Sequence, residues 1–173
     1  MKAVLRFVLG LALTLLLHLA LVRWVPAAPR SVDLLFVFLT YNAIGVPSAV
    51  GMLVGLASGL AADAVSGNPF GLFGLAGTLV GYGIARLTQH VVIERAGSAF
   101  RLFVAAAVVH QALVVGLTLL VLPQPKAPDW VAVLVRAATA GVLGVVLFGL
   151  GRSVRRRLGF WQQGRPSKVR WGR

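Results

Sequence analysis

One carboxylate stands out because of its surroundings: Asp63 directly follows the apolar stretch GLASGLAA at residues 55–62. An ionised aspartate at the centre of a membrane helix costs about 2.5–3.5 kcal/mol, and less near a helix end. The sequence leaves two structural interpretations open. Asp63 either accepts hydrogen bonds from the following turn and the first amides of the next helix, or it forms an ion pair with Arg136. A proton or substrate role is the third alternative.

Two histidines, His18 and His110, are also predicted to lie within apolar helices, His110 beside Gln111. Isolated imidazoles on different helices usually form hydrogen bonds across a bundle, and no His-x-x-x-His or carboxylate cluster accompanies these two. The chain has four acidic residues and no cysteine. Nor does the sequence contain a phosphate-binding loop or a recognisable set of nucleophile and base. It therefore predicts no metal site, no cofactor, no catalytic residue and no enzymatic activity.

Glycine recurs at a spacing that places it on one face of a helix. Gly51, Gly55 and Gly59 are four residues apart, and Asp63 and Gly67 continue the series. Such faces allow two helix backbones to approach closely, which is a common way for helices to associate in membranes. The helix-packing residues predicted on the two central helices are Gly51, Gly55, Gly74, Gly77 and Gly81.

The composition indicates an integral membrane protein. Hydrophobic residues make up 58% of the 173 residues and charged residues 12%, whereas soluble domains carry about 25% charged residues. The net charge is +13, but the basic residues lie between and beyond apolar runs. This distribution is typical of the excess of basic residues in cytoplasmic loops, and it argues against nucleic-acid binding.

Hydropathy and turn signals predict an all-α protein with a compact bundle of six transmembrane helices over 1–151. A basic cytoplasmic tail over 152–173 follows, and we expect it to bind anionic lipid, with a docking site for a cytoplasmic protein as the alternative. Asn42, Gly45 and Pro47 predict the turn that separates the second helix from the third. Whether residues 31–46 cross the membrane fully stays open, because the segment is short. The predicted spans are about 4–25, 31–46, 47–65, 69–90, 100–122 and 130–151.

The charge distribution predicts the orientation of these spans. Six spans with both termini in the cytoplasm place most of the basic residues inside, including those of the tail and of the segment around Arg95. The same arrangement places Asp63 near the outer end of the third helix.

The segment around Asp63 resembles the rod shape-determining MreD family. The similarity rests on GLAAD at 59–63, the turn SGNPFG at 66–71 and LAGTLVGY at 75–82. The residues that match the family motif are Gly59, Asp63, Gly67, Asn68, Pro69 and Gly71.

This resemblance implies a multi-pass protein of the bacterial cytoplasmic membrane and a non-enzymatic scaffold of the cell-elongation complex. It implies binding to MreC, with RodA and a class B penicillin-binding protein in the wider assembly and MreB on the cytoplasmic side. The implied role is regulation of peptidoglycan synthesis and hence cell shape.

The family's fold also resembles the substrate-binding subunits of energy-coupling-factor vitamin transporters, which gives the alternative function. Such a subunit should line an outward pocket with polar and aromatic groups. The sequence offers few candidates for that lining, and the first helix lacks the expected Ala-x-x-x-Ala pair. The candidates are Tyr41, Asn42, Asn68 and Tyr82.

Overall fold

The computed structural model describes residues 2–25, 32–66, 71–90, 96–121 and 130–163, with backbone alone from 152 to 163. All regular structure in these segments is helical, and six helices are present, as the sequence predicts. They are α1 (Lys2–Trp24), α2 (Leu34–Ala43), α3 (Ser48–Ser66), α4 (Leu72–His90), α5 (Ala96–Val121) and α6 (Trp130–Gln163).

Four of these helices are long and apolar enough to cross a membrane. The qualifying segments are Ala3–Trp24, Ser48–Ser66, Ala96–Val121 and Trp130–Gly151. Helix α2 is apolar but has only 10 residues, which corresponds to about 15 Å, or half of a hydrocarbon core about 30 Å thick. Helix α4 has 19 residues and is not among the four. Six complete crossings with both termini in the cytoplasm therefore stay a prediction.

Capping and turn residues determine where α2 begins and ends. The side chain of Asp33 accepts a hydrogen bond from the backbone amide of Phe36 at 2.9 Å, and it caps the helix N-terminus. At the other end Gly45 has φ +72°, a conformation that glycine adopts most easily. The turn predicted from Gly45 and Pro47 is therefore found between α2 and α3.

Helix α2 lies at the centre of the bundle and packs against each of the other five helices. Leu35 and Leu39 are both 1% exposed, and Thr40 is completely buried. The segment that is hardest to assign from its length is thus the one around which the core forms. The core cluster consists of Phe36, Val37, Leu39, Ala43, Val80, Ile84, Phe103, Ala106, Ala107, Ala137 and Ala140.

Helix α1 is attached differently. Among the described residues its backbone packs against α2 and α3 only and not against α6. Its leucines are largely exposed, with Leu9 at 60% and Leu16 at 64%. Such a surface is suited to lipid or to another apolar surface rather than to water.

Candidate functional site

Asp63 binds the first amides of α4. Its carboxylate is 3% exposed and accepts three backbone hydrogen bonds. Oδ2 accepts from Gly71 at 3.0 Å and from Gly74 at 2.9 Å, while Oδ1 accepts from Phe73 at 3.0 Å. One side chain on α3 thus satisfies three of the donors that a helix N-terminus leaves without intrahelical partners.

The electrostatics of this arrangement are favourable. A helix N-terminus carries a partial positive charge, and hydrogen bonds to a carboxylate are stronger than those between neutral groups. Gly71 has φ +103°, so the chain entering α4 requires glycine at this position. Asp63 therefore fixes the end of α3 to the beginning of α4. Its three hydrogen bonds also offset the free-energy cost of burying the carboxylate.

This geometry corresponds to the first alternative that the sequence leaves open, in which Asp63 accepts hydrogen bonds from the turn and from the first amides of the next helix. The ion pair between Asp63 and Arg136 stays a prediction. Of the family-motif positions, Asp63 and Gly71 lie in this junction, and Gly59 lies four residues before Asp63 on α3. Gly67, Asn68 and Pro69 lie outside the described residues.

Below the junction, two glycine series lie directly against each other. We call them the glycine seam, formed by Gly51, Gly55 and Gly59 of α3 and by Gly74, Gly77 and Gly81 of α4. A Cβ atom on Gly51 would lie 2.5 Å from the carbonyl oxygen of Gly81, and one on Gly77 would lie 2.5 Å from that of Gly55. Cβ atoms on Gly55 and Gly59 would approach the α4 backbone more closely still. The seam is therefore a contact between two backbones.

Glycines of the last helix, α6, lie against side chains instead. Cβ atoms on Gly141 and Gly144 would meet the rings of Phe100 and Phe103 of α5. These glycines therefore accommodate aromatic side chains, whereas those of the seam accommodate another backbone.

A cavity of about 330 Å³ lies at the same end of the bundle as Asp63. Its walls combine two opposite charges, Asp33 and Arg136, with the imidazole of His18 and with apolar side chains. The lining residues are His18, Val22, Val32, Asp33, Leu35, Ala62, Val65, Ser66, Phe73 and Arg136. We call this space the outer chamber, since the predicted topology places this end of the bundle outside.

A second, much smaller space of about 10 Å³ adjoins it, and the two share Asp33, Leu35, Ala62 and Phe73 as lining residues. We call it the inner chamber. The other residues that line it are Phe36, Leu39, Ser58, Gly59 and His110.

Aromatic rings enclose His110 at the inner chamber. The imidazole is 5% exposed, with its centroid 4.8 Å from that of Phe36 and 5.9 Å from that of Phe73. Ser58 is 1% exposed and its hydroxyl has no hydrogen-bond partner. The residues that line the inner chamber therefore include the polar side chains of Asp33, Ser58 and His110 as well as the rings of Phe36 and Phe73.

The two histidines thus line different chambers, His18 the outer one and His110 the inner one. The expectation that they form hydrogen bonds across the bundle is not met at His18 Nδ1, which is buried without a partner. Sequence reasoning missed Ser58. The only signal was a single hydroxyl in an apolar run, which gives no information on what it faces. In the described part of the chain, no group of three or more potential metal ligands occurs.

The polar groups proposed for a vitamin pocket lie elsewhere. Asn42 donates to the carbonyl of Phe38 at 2.9 Å, and the Tyr41 hydroxyl lies against Gly151. Tyr82 is 44% exposed. None of the three belongs to the residues that line the two chambers, and Asn68 lies outside the described residues.

Comparison with known proteins identifies one family. The family model described as rod shape-determining protein MreD matches residues 1–152, which is most of the chain. No curated protein matches the chain, and no solved structure does.

Proposed function

The chain belongs to the rod shape-determining protein MreD family, and we propose that it is a non-enzymatic membrane scaffold of the bacterial cell-elongation complex. Membership implies a role in rod shape determination. The proposal goes further in naming the partners: MreC as the direct one, RodA and a class B penicillin-binding protein in the wider complex, and MreB filaments on the cytoplasmic side. The proposed location of the protein is the bacterial cytoplasmic membrane.

The family match over residues 1–152 carries this proposal. The geometry supports it, because the motif that the sequence shares with the family joins two helices. Asp63 and Gly59 both act between α3 and α4, one by hydrogen bonds and the other by close backbone approach. A scaffold needs surfaces held in a fixed relation to each other, and these contacts fix one helix pair within the bundle.

The basic tail supports the cytoplasmic part of the proposal. Residues 152–173 are rich in Arg and Lys with interspersed aromatic residues, and α6 extends through this boundary to Gln163. A basic helix that leaves the membrane is suited to bind the anionic lipids of the cytoplasmic leaflet.

The test is gentle detergent purification of the tagged protein from its native membrane, followed by mass spectrometry of the proteins that accompany it. We expect an MreC-like single-span protein together with cell-wall synthases. Co-purification of an ATPase pair with a coupling subunit would instead establish the vitamin-transporter alternative. An Asp63→Asn variant provides the structural control, because loosening the junction should reduce recovery of the partners.

A further inference from the structure

An apolar groove of about 320 Å³ lies on the surface between α4 and α5, away from the two chambers. Every residue that lines it is apolar or glycine. Its floor is buried, with Ile84 at 4% and Ala106 at 7% exposed, whereas Leu87 and Val109 at its rims are about half exposed. The groove is therefore open to the hydrocarbon that surrounds the helices.

The groove is about as long as one leaflet of a membrane is thick. Its lining extends from Leu79 to Leu87 on α4 and from Leu102 to Leu113 on α5. At 1.5 Å per residue these segments are about 12 Å and about 16 Å long, and half of a hydrocarbon core about 30 Å thick is about 15 Å. A partner helix that crosses the membrane would extend well beyond this groove, whereas an acyl chain of one leaflet matches its length.

Two arginines continue the groove at one end. Arg101, Ala105 and Val109 are four residues apart on α5, so they lie along one side of that helix, and Arg86 is three residues after Gly83 on α4. Because only residues 91–95 separate the two helices, the end of α4 and the beginning of α5 lie at the same end of the bundle. Both arginines are exposed. This end of the groove therefore carries two positive charges beside an apolar surface.

The acidic side chains of the described residues lie elsewhere. Asp33 and Asp63 are at the opposite end of the bundle, where Asp63 binds the first amides of α4. Arg101 Nε donates to the carbonyl of Gly97 in its own helix at 3.4 Å, which leaves the terminal nitrogens of the guanidinium for another acceptor. The predicted topology places this end in the cytoplasm, and basic pockets between helices on that side of a membrane are suited to anionic head groups.

We propose that the groove binds an anionic phospholipid, with an acyl chain between α4 and α5 and the phosphate at Arg86 and Arg101. The proposal is independent of the scaffold function and of the basic tail. It also gives a role to Gly83, where a Cβ atom would meet nothing within 4 Å. Unlike the glycines of the seam, Gly83 accommodates no protein atom, and it leaves room for the acyl chain.

The first experiment tests the head group. The delipidated full-length protein in detergent is titrated with phospholipids of identical acyl chains, and the bound lipid is counted by native mass spectrometry. We expect one phosphatidylglycerol, which is anionic, to bind about tenfold more tightly than phosphatidylethanolamine, which has no net charge. Equal binding of the two lipids to the wild-type protein would overturn the proposal.

Arginine variants separate the groove from the tail, which also attracts anionic lipid. Arg86→Gln and Arg101→Gln should each reduce the preference for phosphatidylglycerol several-fold, since each removes one positive charge. Arg23→Gln is the matched control, because Arg23 is also exposed but lies in the last turn of α1, away from the groove. An unchanged preference in the double variant of Arg86 and Arg101 would assign the selectivity to the tail and contradict the proposal.

A groove variant tests the acyl chain. Gly83→Leu places a side chain in the groove without meeting protein atoms, and we expect it to weaken binding of both lipids about tenfold. Gly116→Leu is its control, because a Cβ atom there also meets nothing within 4 Å and Gly116 does not line the groove. Unchanged lipid binding in Gly83→Leu would overturn the proposal. Loss of a co-purifying membrane protein in that variant, with lipid binding intact, would assign the groove to a partner helix instead.

Discussion

Helices α3 and α4 are held together by close backbone packing and by hydrogen bonds. Helix α1 is attached to the bundle by neither. Between α3 and α4, backbone lies on backbone along the glycine seam, and the Asp63 carboxylate closes one end with three hydrogen bonds. Helix α1 has one of the most apolar sequences in the chain, yet it packs only against α2 and α3 in the described residues. Hydrophobicity and integration into the bundle are therefore separate properties here.

The difference follows from the solvent. In a membrane, apolar side chains gain little by leaving lipid for protein, so helix association depends on close packing and on polar contacts. Helices α3 and α4 have both, because glycine permits the first and Asp63 supplies the second. Helix α1 has a single glycine, Gly10, and many leucines, and leucine is as well accommodated by lipid as by protein.

The largest effect is expected where a side chain would separate the two backbones. Gly55→Leu should lower the free energy of unfolding by at least about 3 kcal/mol, because even a Cβ atom at this position would overlap the backbone of Gly77 and Thr78. The measurement is denaturant or thermal unfolding in detergent, together with size-exclusion chromatography.

Gly83→Leu is the matched control for this variant. Gly83 lies on α4, and a Cβ atom there would meet nothing within 4 Å. Wild-type stability and monodispersity are expected for Gly83→Leu. Equal stability of the two leucine variants would show that the seam does not hold α3 and α4 together.

The second prediction concerns the polar end of the same helix pair. Asp63→Asn should cost about 2–3 kcal/mol, because the amide that replaces one oxygen turns a donor towards backbone donors and weakens charge-assisted bonds. Asp33→Asn offers the comparison, since that carboxylate accepts one described amide bond, from Phe36, and asparagine caps equally well. Unfolding of the two variants in the same detergent tests this, and similar losses would contradict the role assigned to Asp63.

A third substitution tests whether replacing a glycine that packs against a side chain costs as much stability as replacing one that packs against a backbone. Gly144→Ala on α6 would bring a Cβ atom against the buried ring of Phe103. We expect a loss of about 1–2 kcal/mol, because the ring must shift within a packed core. The loss should be smaller than that of Gly55→Ala, where the opposing atoms are backbone. Thermal unfolding of both alanine variants gives the comparison.

The sequence predicted the tightly joined region better than the rest. The four-residue spacing of Gly51, Gly55 and Gly59 is visible without a structure, and so is a carboxylate placed just before a turn and a new helix. These are local patterns whose consequences lie between helices adjacent in the chain. Hydrogen bonding of Asp63 to the next helix was accordingly among the alternatives that the sequence raised.

The central position of α2 and the two chambers could not be predicted in this way. A segment of 10 apolar residues resembles an incomplete span, and nothing in its composition shows that it contacts five other helices. The inner chamber brings together Asp33, Ser58 and His110 from segments far apart in the chain. Their proximity depends on how the helices pack, and that arrangement is not encoded in any single spacing.

The smallest effect is expected on α1, and it completes the comparison. Leu16→Ala removes a large apolar side chain that is 64% exposed, so it leaves no cavity and should change the free energy of unfolding by less than about 0.5 kcal/mol. Leu39→Ala on α2 deletes the same atoms at a position that is 1% exposed, and it should cost about 2–5 kcal/mol. Unfolding of both variants in the same detergent separates apolar character from packing, since the substitution is identical and only the surroundings differ. A loss at Leu16 comparable to that at Leu39 would mean that α1 is held in the bundle as firmly as the helices it accompanies.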